Sequence, residues 1–125
     1  LVEELAAVAQ AGYEVVINLH TSPDLPDERD VVNALGLEYV QIDVPWQHPE
    51  RSHLERFFAA MEARREQRLF VHCAANKRVS AFMALYRIHR LGWAAEDALE
   101  IVDVPSFPPV WQAFIEEMLA ASFEL

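Results

Sequence analysis

Three short runs rich in β-branched and aromatic residues, "YEVVINL", "LEYVQIDV" and "RLFVHC", are separated from one another by stretches of helical periodicity. Strands that alternate with helices cannot pair as tight hairpins. They return by right-handed crossovers into a parallel sheet whose two faces are covered by the helices. The chain is therefore predicted to be an α/β protein with a mostly parallel central sheet. "LVEELAAVAQAG" has apolar residues at 1, 2, 5, 8 and 9 and a natural stop at Gly12. "DVVNALG" makes a short helix closing at Gly36, and Pro45 sets the end of the second strand. From Pro49 onward, Leu54, Phe57, Phe58 and Met61 share one helical face. "RVSAFMALYRIHRLG" is apolar over much of its circumference, as a helix buried beside a sheet must be. "WAAEDALEIV" and "VWQAFIEEMLAASF" are two further helices on either side of the breaker "PSFPP". Trp93, Trp111, Phe57, Phe58, Phe82 and Phe114 fall at helical spacing and are assigned to the core.

A chain of 125 residues, 53% of them hydrophobic, supports one ordinary core, so residues 1–125 are read as a single domain. It opens without a Met, which is read as the loss of some residues upstream. The lone cysteine, Cys73, cannot form an internal disulfide, and the cytoplasm is the expected compartment. No apolar run approaches the ~20 residues of a membrane span, and the opening segment carries acids where a secretory leader carries Lys or Arg, so no membrane partner is expected. A net charge of −10, from 20 acids against 10 Lys and Arg, repels a nucleic-acid backbone and argues against that partner. None of the five histidines has metal-ligand spacing, and His48 with His53 lacks the H-E-x-x-H arrangement, so neither a metal nor a cofactor is called for. Nothing in the pattern specifies an oligomeric state.

The chemistry concentrates in "FVHCAANKRVS", residues 70–80. A strand that stops at His72 and resumes as a helix near Arg78 leaves a tight loop. Its backbone N–H groups can point inward beside the positive end of a helix, and such a loop binds an oxyanion. The same field, with Lys77 and Arg78 nearby, favours thiolate over thiol at Cys73. The Arg78 guanidinium can grip two phosphate oxygens and orient the group for in-line attack. The competing reading is a buried cysteine at a strand end, since "LFVHC" is otherwise core-like. The arginine, the helix end and the strand-loop-helix context favour a nucleophile.

The string "VHCAANKRVSAF" resembles the signature of the cysteine-based protein tyrosine phosphatase superfamily, in its dual-specificity-like branch and particularly its small bacterial members. "AGYEVVINL", "LGLEYVQIDVPW" and "PPVWQAFIEEML" are similar to segments of that family in the same order, so the resemblance spans nearly the whole chain. It implies a phosphatase-like α/β fold and metal-independent hydrolysis of phosphomonoesters through a phosphocysteine on Cys73. It also implies that Arg78 binds phosphate, that Ala74, Ala75, Asn76, Lys77 and Val79 form the cradle, and that His72 orders the loop through backbone bonds. Ser80 is implied to help the thiolate leave, although a serine at a helix start also bonds local backbone.

The family loop runs His-Cys, five residues, Arg, then Ser or Thr, whereas only four residues separate Cys73 from Arg78 here. The arginine arrives one residue early while Ser80 keeps its usual distance. Two loop geometries follow. In one, the loop is shortened, the helix starts earlier and Arg78 turns inward. In the other, the loop keeps its usual path, Asn76 replaces the common glycine in left-handed backbone, Val79 takes the arginine slot and Arg78 faces away.

Relatives carry their general acid, an Asp, on a loop corresponding to "IDVPWQHPE", but Trp46 stands at its usual place. Asp43, shielded by Trp46 and Pro45 and so able to hold its proton, is the leading replacement, ahead of His48 and Glu50. A weak or missing acid biases activity toward aryl phosphates, whose leaving groups need it least. His20, Asp24 and Asp27 are read as ordinary loop residues. Two alternatives stay open: a rhodanese-like sulfurtransferase forming a persulfide on Cys73, and a catalytically weak module that binds phosphorylated ligands. A thiol-coupled arsenate reductase is disfavoured because no second cysteine exists to resolve its intermediate.

Overall fold

A computed structural model of the chain describes residues 2–20, 28–73 and 76–123. Its sheet is built from β1 (Val15–Asn18), β2 (Glu38–Gln41) and β3 (Leu69–His72), in the order β2-β1-β3. Both pairings are parallel, and the register sets Asn18 level with Gln41 on one side and with His72 on the other. Three polar residues therefore line up at the carboxyl edge of the sheet, where open α/β sheets hold their ligands.

The central strand explains the layering. Val15, Val16 and Ile17 are fully buried, as a strand covered on both faces requires. Val15 and Ile17 join a core with residues of α3 (Arg51–Ala63), α4 (Lys77–Leu91) and α6 (Pro109–Ala120). Val16 points the other way, into a smaller cluster with Leu5 and Val8 of α1 (Val2–Gln10) and Val32 of α2 (Glu28–Ala34). The predicted α3 face of Leu54, Phe57, Phe58 and Met61 is buried, as are Phe82, Trp111 and Phe114. Aromatic rings bind these helices together: Phe57 of α3 meets Phe82 of α4 at 5.6 Å, and Phe82 lies 6.1 Å from Trp111 of α6 between ring centroids.

Four expectations need correction. α2 begins at Glu28 rather than Asp30, with Glu28 and Asp30 both acidic in its first turn, where the helix dipole favours them. β2 ends at Gln41, four residues before Pro45. The apolar residues beyond it nevertheless stay beside β1, because the Ile42 and Val44 N–H groups donate to the Asn18 and Leu19 carbonyls. "WAAEDALEIV" divides into α5 (Ala95–Ala98) and a 3-10 turn over Leu99–Ile101, closed by the Val102 N–H on the Leu99 carbonyl. Trp93 is not core but 44% exposed. Gly92, at φ 75°, caps α4 in left-handed backbone and turns the chain out of the helix, and the Arg87 guanidinium covers the indole face at 4.9 Å. Among the described residues, no helix is long and apolar enough to cross a membrane.

Candidate active site

Cys73 follows β3 directly, partly buried and packed against the main core. Ala74 and Ala75 lie outside the described residues, as do Asp24 and Asp27. Asn76 then adopts left-handed backbone at φ 62° and is the residue from which α4 starts. The Ser80 N–H donates to the Asn76 carbonyl at 2.9 Å, and the Ser80 hydroxyl donates to the Lys77 carbonyl at 2.9 Å. The Lys77 ammonium donates to Ser106 Oγ at 2.6 Å and lies 4.9 Å from the Phe107 ring. The start of α4 is thereby tied to a second 3-10 turn, Val104–Ser106. Val79 packs against the main core.

Arg78 is buried at 7% exposure. Its Nε donates to the Val44 carbonyl at 2.9 Å, and its guanidinium carbon sits 5.2 Å from the Trp46 ring. Among the described residues, no hydrogen bond engages its terminal nitrogens. Asn76 is thus left-handed while α4 starts at Lys77, and the Arg78 side chain reaches across to the segment after β2.

That loop carries the candidate acids. Asp43 is exposed, and its Oδ1 accepts from Gln41 Nε2 at 2.8 Å. The shielding expected from Trp46 does not occur, because the Trp46 ring is occupied elsewhere: it lies 5.3 Å from Trp111 and 6.1 Å from Phe107, and Trp111 Nε1 donates to its carbonyl at 2.6 Å. His48 pairs with Glu50 at 2.8 Å on the surface. Glu50 caps α3, its own N–H donating to His53 Nδ1 at 2.9 Å. Burial holds the His53 imidazole below its ordinary range.

One set of residues at the sheet edge escaped sequence reasoning. Glu28, 2% exposed, meets His72 Nε2 with its Oε2 at 2.9 Å. The same oxygen accepts from Asn18 Nδ2 at 3.2 Å, and Asn18 Nδ2 also donates to the Tyr39 hydroxyl at 3.0 Å. Tyr39 donates to Gln41 Oε1 at 2.5 Å, and Gln41 Nε2 reaches the His20 carbonyl and Asp43. A continuous polar chain therefore runs along the carboxyl edge from the residue before Cys73 to Asp43. Burial pushes the Tyr39 phenol up to about 12, with the Glu28 carboxylate adding to the effect and the Asn18 bond opposing it. The signal for Tyr39 and Gln41 was a polar tip on alternate residues of one strand; Glu28 had none, since its partners lie 10 and 44 residues away. No cluster of three or more His, Cys, Asp or Glu side chains suited to a metal occurs among the described residues.

No protein-family profile and no curated protein matches the chain. Solved structures do. The crystal structure of a DUF442 protein from Shewanella putrefaciens CN-32, named as a candidate phosphatase, is 36% identical, with a TM-score of 0.83 over 95% of this chain and 81% of the other. The chain belongs to the DUF442 family. The chain also shares its fold with a cysteine-to-serine variant of TpbA from P. aeruginosa, solved in complex with phosphotyrosine. That match has 20% identity and a TM-score of 0.65, over 79% of this chain and 60% of the other. The core catalytic domain of SIW14, a PP-IP phosphatase from S. cerevisiae, matches with 14% identity and a TM-score of 0.70 over 91% of this chain and 73% of the other. The α/β architecture read from the alternation of strand-like and helical segments is that of the DUF442 chain and its structural neighbours.

Proposed function

We propose that this DUF442 phosphatase hydrolyses phosphomonoesters with Cys73 as nucleophile and Arg78 as the phosphate-binding side chain. The Cys73 thiolate attacks phosphorus in line, an S–P bond forms, and the bond to the leaving oxygen breaks. Asp43 supplies the proton that oxygen takes up. Water then attacks the phosphocysteine, releasing inorganic phosphate and the thiolate, with Asp43 accepting the water's proton. The observation that carries this reading is Arg78. Its Nε is committed to the Val44 carbonyl, so the guanidinium plane is fixed and no hydrogen bond to a described residue uses its terminal nitrogens. A pre-oriented fork loses little freedom when it takes phosphate oxygens. Ser80 assists departure of the thiolate only after its hydroxyl leaves the Lys77 carbonyl.

The substrate class we favour is an aryl phosphate monoester such as phosphotyrosine. Asp43 is exposed, which suits a leaving group that needs little help from an acid. A protein of net charge −10 repels polyanions such as inositol pyrophosphates more than it repels a monoester. The phosphotyrosine held by the TpbA variant is consistent with that preference. The cytoplasm, with its reduced thiols, suits an enzyme that depends on a free Cys73. The test is release of p-nitrophenol from its phosphate ester, in the presence of a chelator, by the parent, Cys73→Ser and Arg78→Ala. Activity in the parent and its loss in both variants supports the reading. Phosphate binding without turnover in the parent makes the chain a binding module instead.

A further inference from the structure

Asn18, Glu28 and Arg78 are the buried polar side chains among the described residues, and the reaction above uses only Arg78. A carboxylate removed from water is retained only where donors meet it. The donors of Glu28 can be assigned. Asn18 Oδ1 accepts the His20 N–H at 2.9 Å, so the Asn18 amide nitrogen is the atom facing Tyr39 and Glu28. Glu28 Oε2, already accepting from Asn18, then receives a second N–H from His72 Nε2 at 2.9 Å. This fixes Nε2 as a protonated nitrogen of the His72 ring, in the way a carboxylate orients a functional histidine. The ring also lies 5.9 Å from Phe70, and the His72 carbonyl accepts the Leu19 N–H at 2.8 Å. The residue that precedes Cys73 is held by its side chain as well as by its backbone.

We infer that Glu28 is a positioning residue for Cys73, acting through His72. By holding the His72 Nε2–H, it fixes the last residue of β3 and with it the direction in which the sulfur enters the cradle. The inference rests on the reading of Cys73 as nucleophile. A sulfur misplaced by a fraction of an ångström loses in-line alignment and its place ahead of the positive end of α4, which favours its thiolate, whereas phosphate binding through Arg78 persists.

The test uses the intact chain and two readouts: turnover of p-nitrophenyl phosphate, and alkylation of Cys73 by iodoacetamide, which needs no phosphatase activity. Glu28→Gln keeps the volume and removes the charge. It is expected to lower kcat about tenfold or more with KM changed less than about twofold, and to slow alkylation several-fold. Glu28→Asp, which keeps the charge, recovers part of both. His72→Ala reproduces the loss, and combining it with Glu28→Gln adds nothing further, because the two act through one bond. Parental kcat and alkylation in Glu28→Gln, or losses that add in the double variant, overturn the inference. A parent without phosphatase activity whose alkylation still responds to Glu28→Gln removes the phosphatase reading and supports the positioning role. Should the variants fail to fold, the ¹H–¹⁵N spectrum of the parent decides: a His72 ring protonated at Nε2 supports the inference, and a proton at Nδ1 alone overturns it.

Discussion

Arg78 Nε donates to the Val44 carbonyl over 2.9 Å, joining the first turn of α4 to the loop after β2. A guanidinium bonded there also lies on the Trp46 ring, so in the proposed reaction the side chain that binds phosphate also ties together the fold. Arg78→Lys has neither an Nε–H at that place nor a fork. It is expected to lower kcat/KM for p-nitrophenyl phosphate by about 10²-fold, the scale of removing one transition-state donor. Leaving the Val44 carbonyl unmet costs a further ~1–3 kcal/mol of stability. Steady-state kinetics and urea denaturation on the same variant separate the two effects.

Asn76 holds a left-handed conformation at φ 62°, which asparagine tolerates better than other non-glycine residues. Its side chain makes no cap bond to α4, so nothing is lost on removing it. Asn76→Gly is expected to leave stability unchanged or raise it, while Asn76→Ala lowers it by ~1 kcal/mol, the smaller end of the cost of such a backbone position. Thermal unfolding of the two variants beside the parent checks the order.

Much of this could be read before any coordinates, because it depends on local periodicity. The α3 stripe of Leu54, Phe57, Phe58 and Met61 and the alternation of strands with helices are short-range patterns that packing then honours. The early arginine was also visible, as a departure from a family spacing. Where its side chain goes was not, since that depends on Val44 and Trp46, more than thirty residues away in sequence. Trp93 was misplaced because its spacing ignores the stop at Gly92. Glu28 sat in an acidic, proline-rich stretch that reads as solvated; only the meeting of α2 with the ends of β1 and β3 makes it a buried carboxylate.

Trp111 is fully buried and donates its Nε1–H to the Trp46 carbonyl at 2.6 Å. Trp111→Phe removes that donor and leaves space beside Trp46. It is expected to cost ~2–3 kcal/mol of stability, part lost hydrogen bond and part cavity. Trp46 then loosens against Arg78, so kcat/KM falls too, though less than in Arg78→Ala. Urea midpoints and p-nitrophenyl phosphate kinetics measured together check both; unchanged kinetics at reduced stability would separate the Trp46 loop from the site.

Tyr39 gives the pH dependence a defined sign. Its buried phenol is pushed up to about 12, while an unfolded tyrosine ionises near 10. Below pH 10 both states keep the proton and nothing is lost. Between 10 and 12 the unfolded chain releases a proton that the folded chain retains, so the unfolded state binds fewer protons and stability falls as pH rises, by ~3 kcal/mol in all. Burial also raises the Tyr86 phenol, so the loss in the parent includes a second contribution in the same direction. The difference between parent and Tyr39→Phe isolates the first. Tyr39→Phe is expected to be the less stable of the two at pH 8, by ~1 kcal/mol, because Gln41 loses its donor and Asn18 an acceptor. By pH 11 the gap narrows or reverses, because phenylalanine has no proton to lose. Urea denaturation at the two pH values measures it; a gap that stays constant would mean that Tyr39 titrates as freely in the folded chain as in the unfolded one.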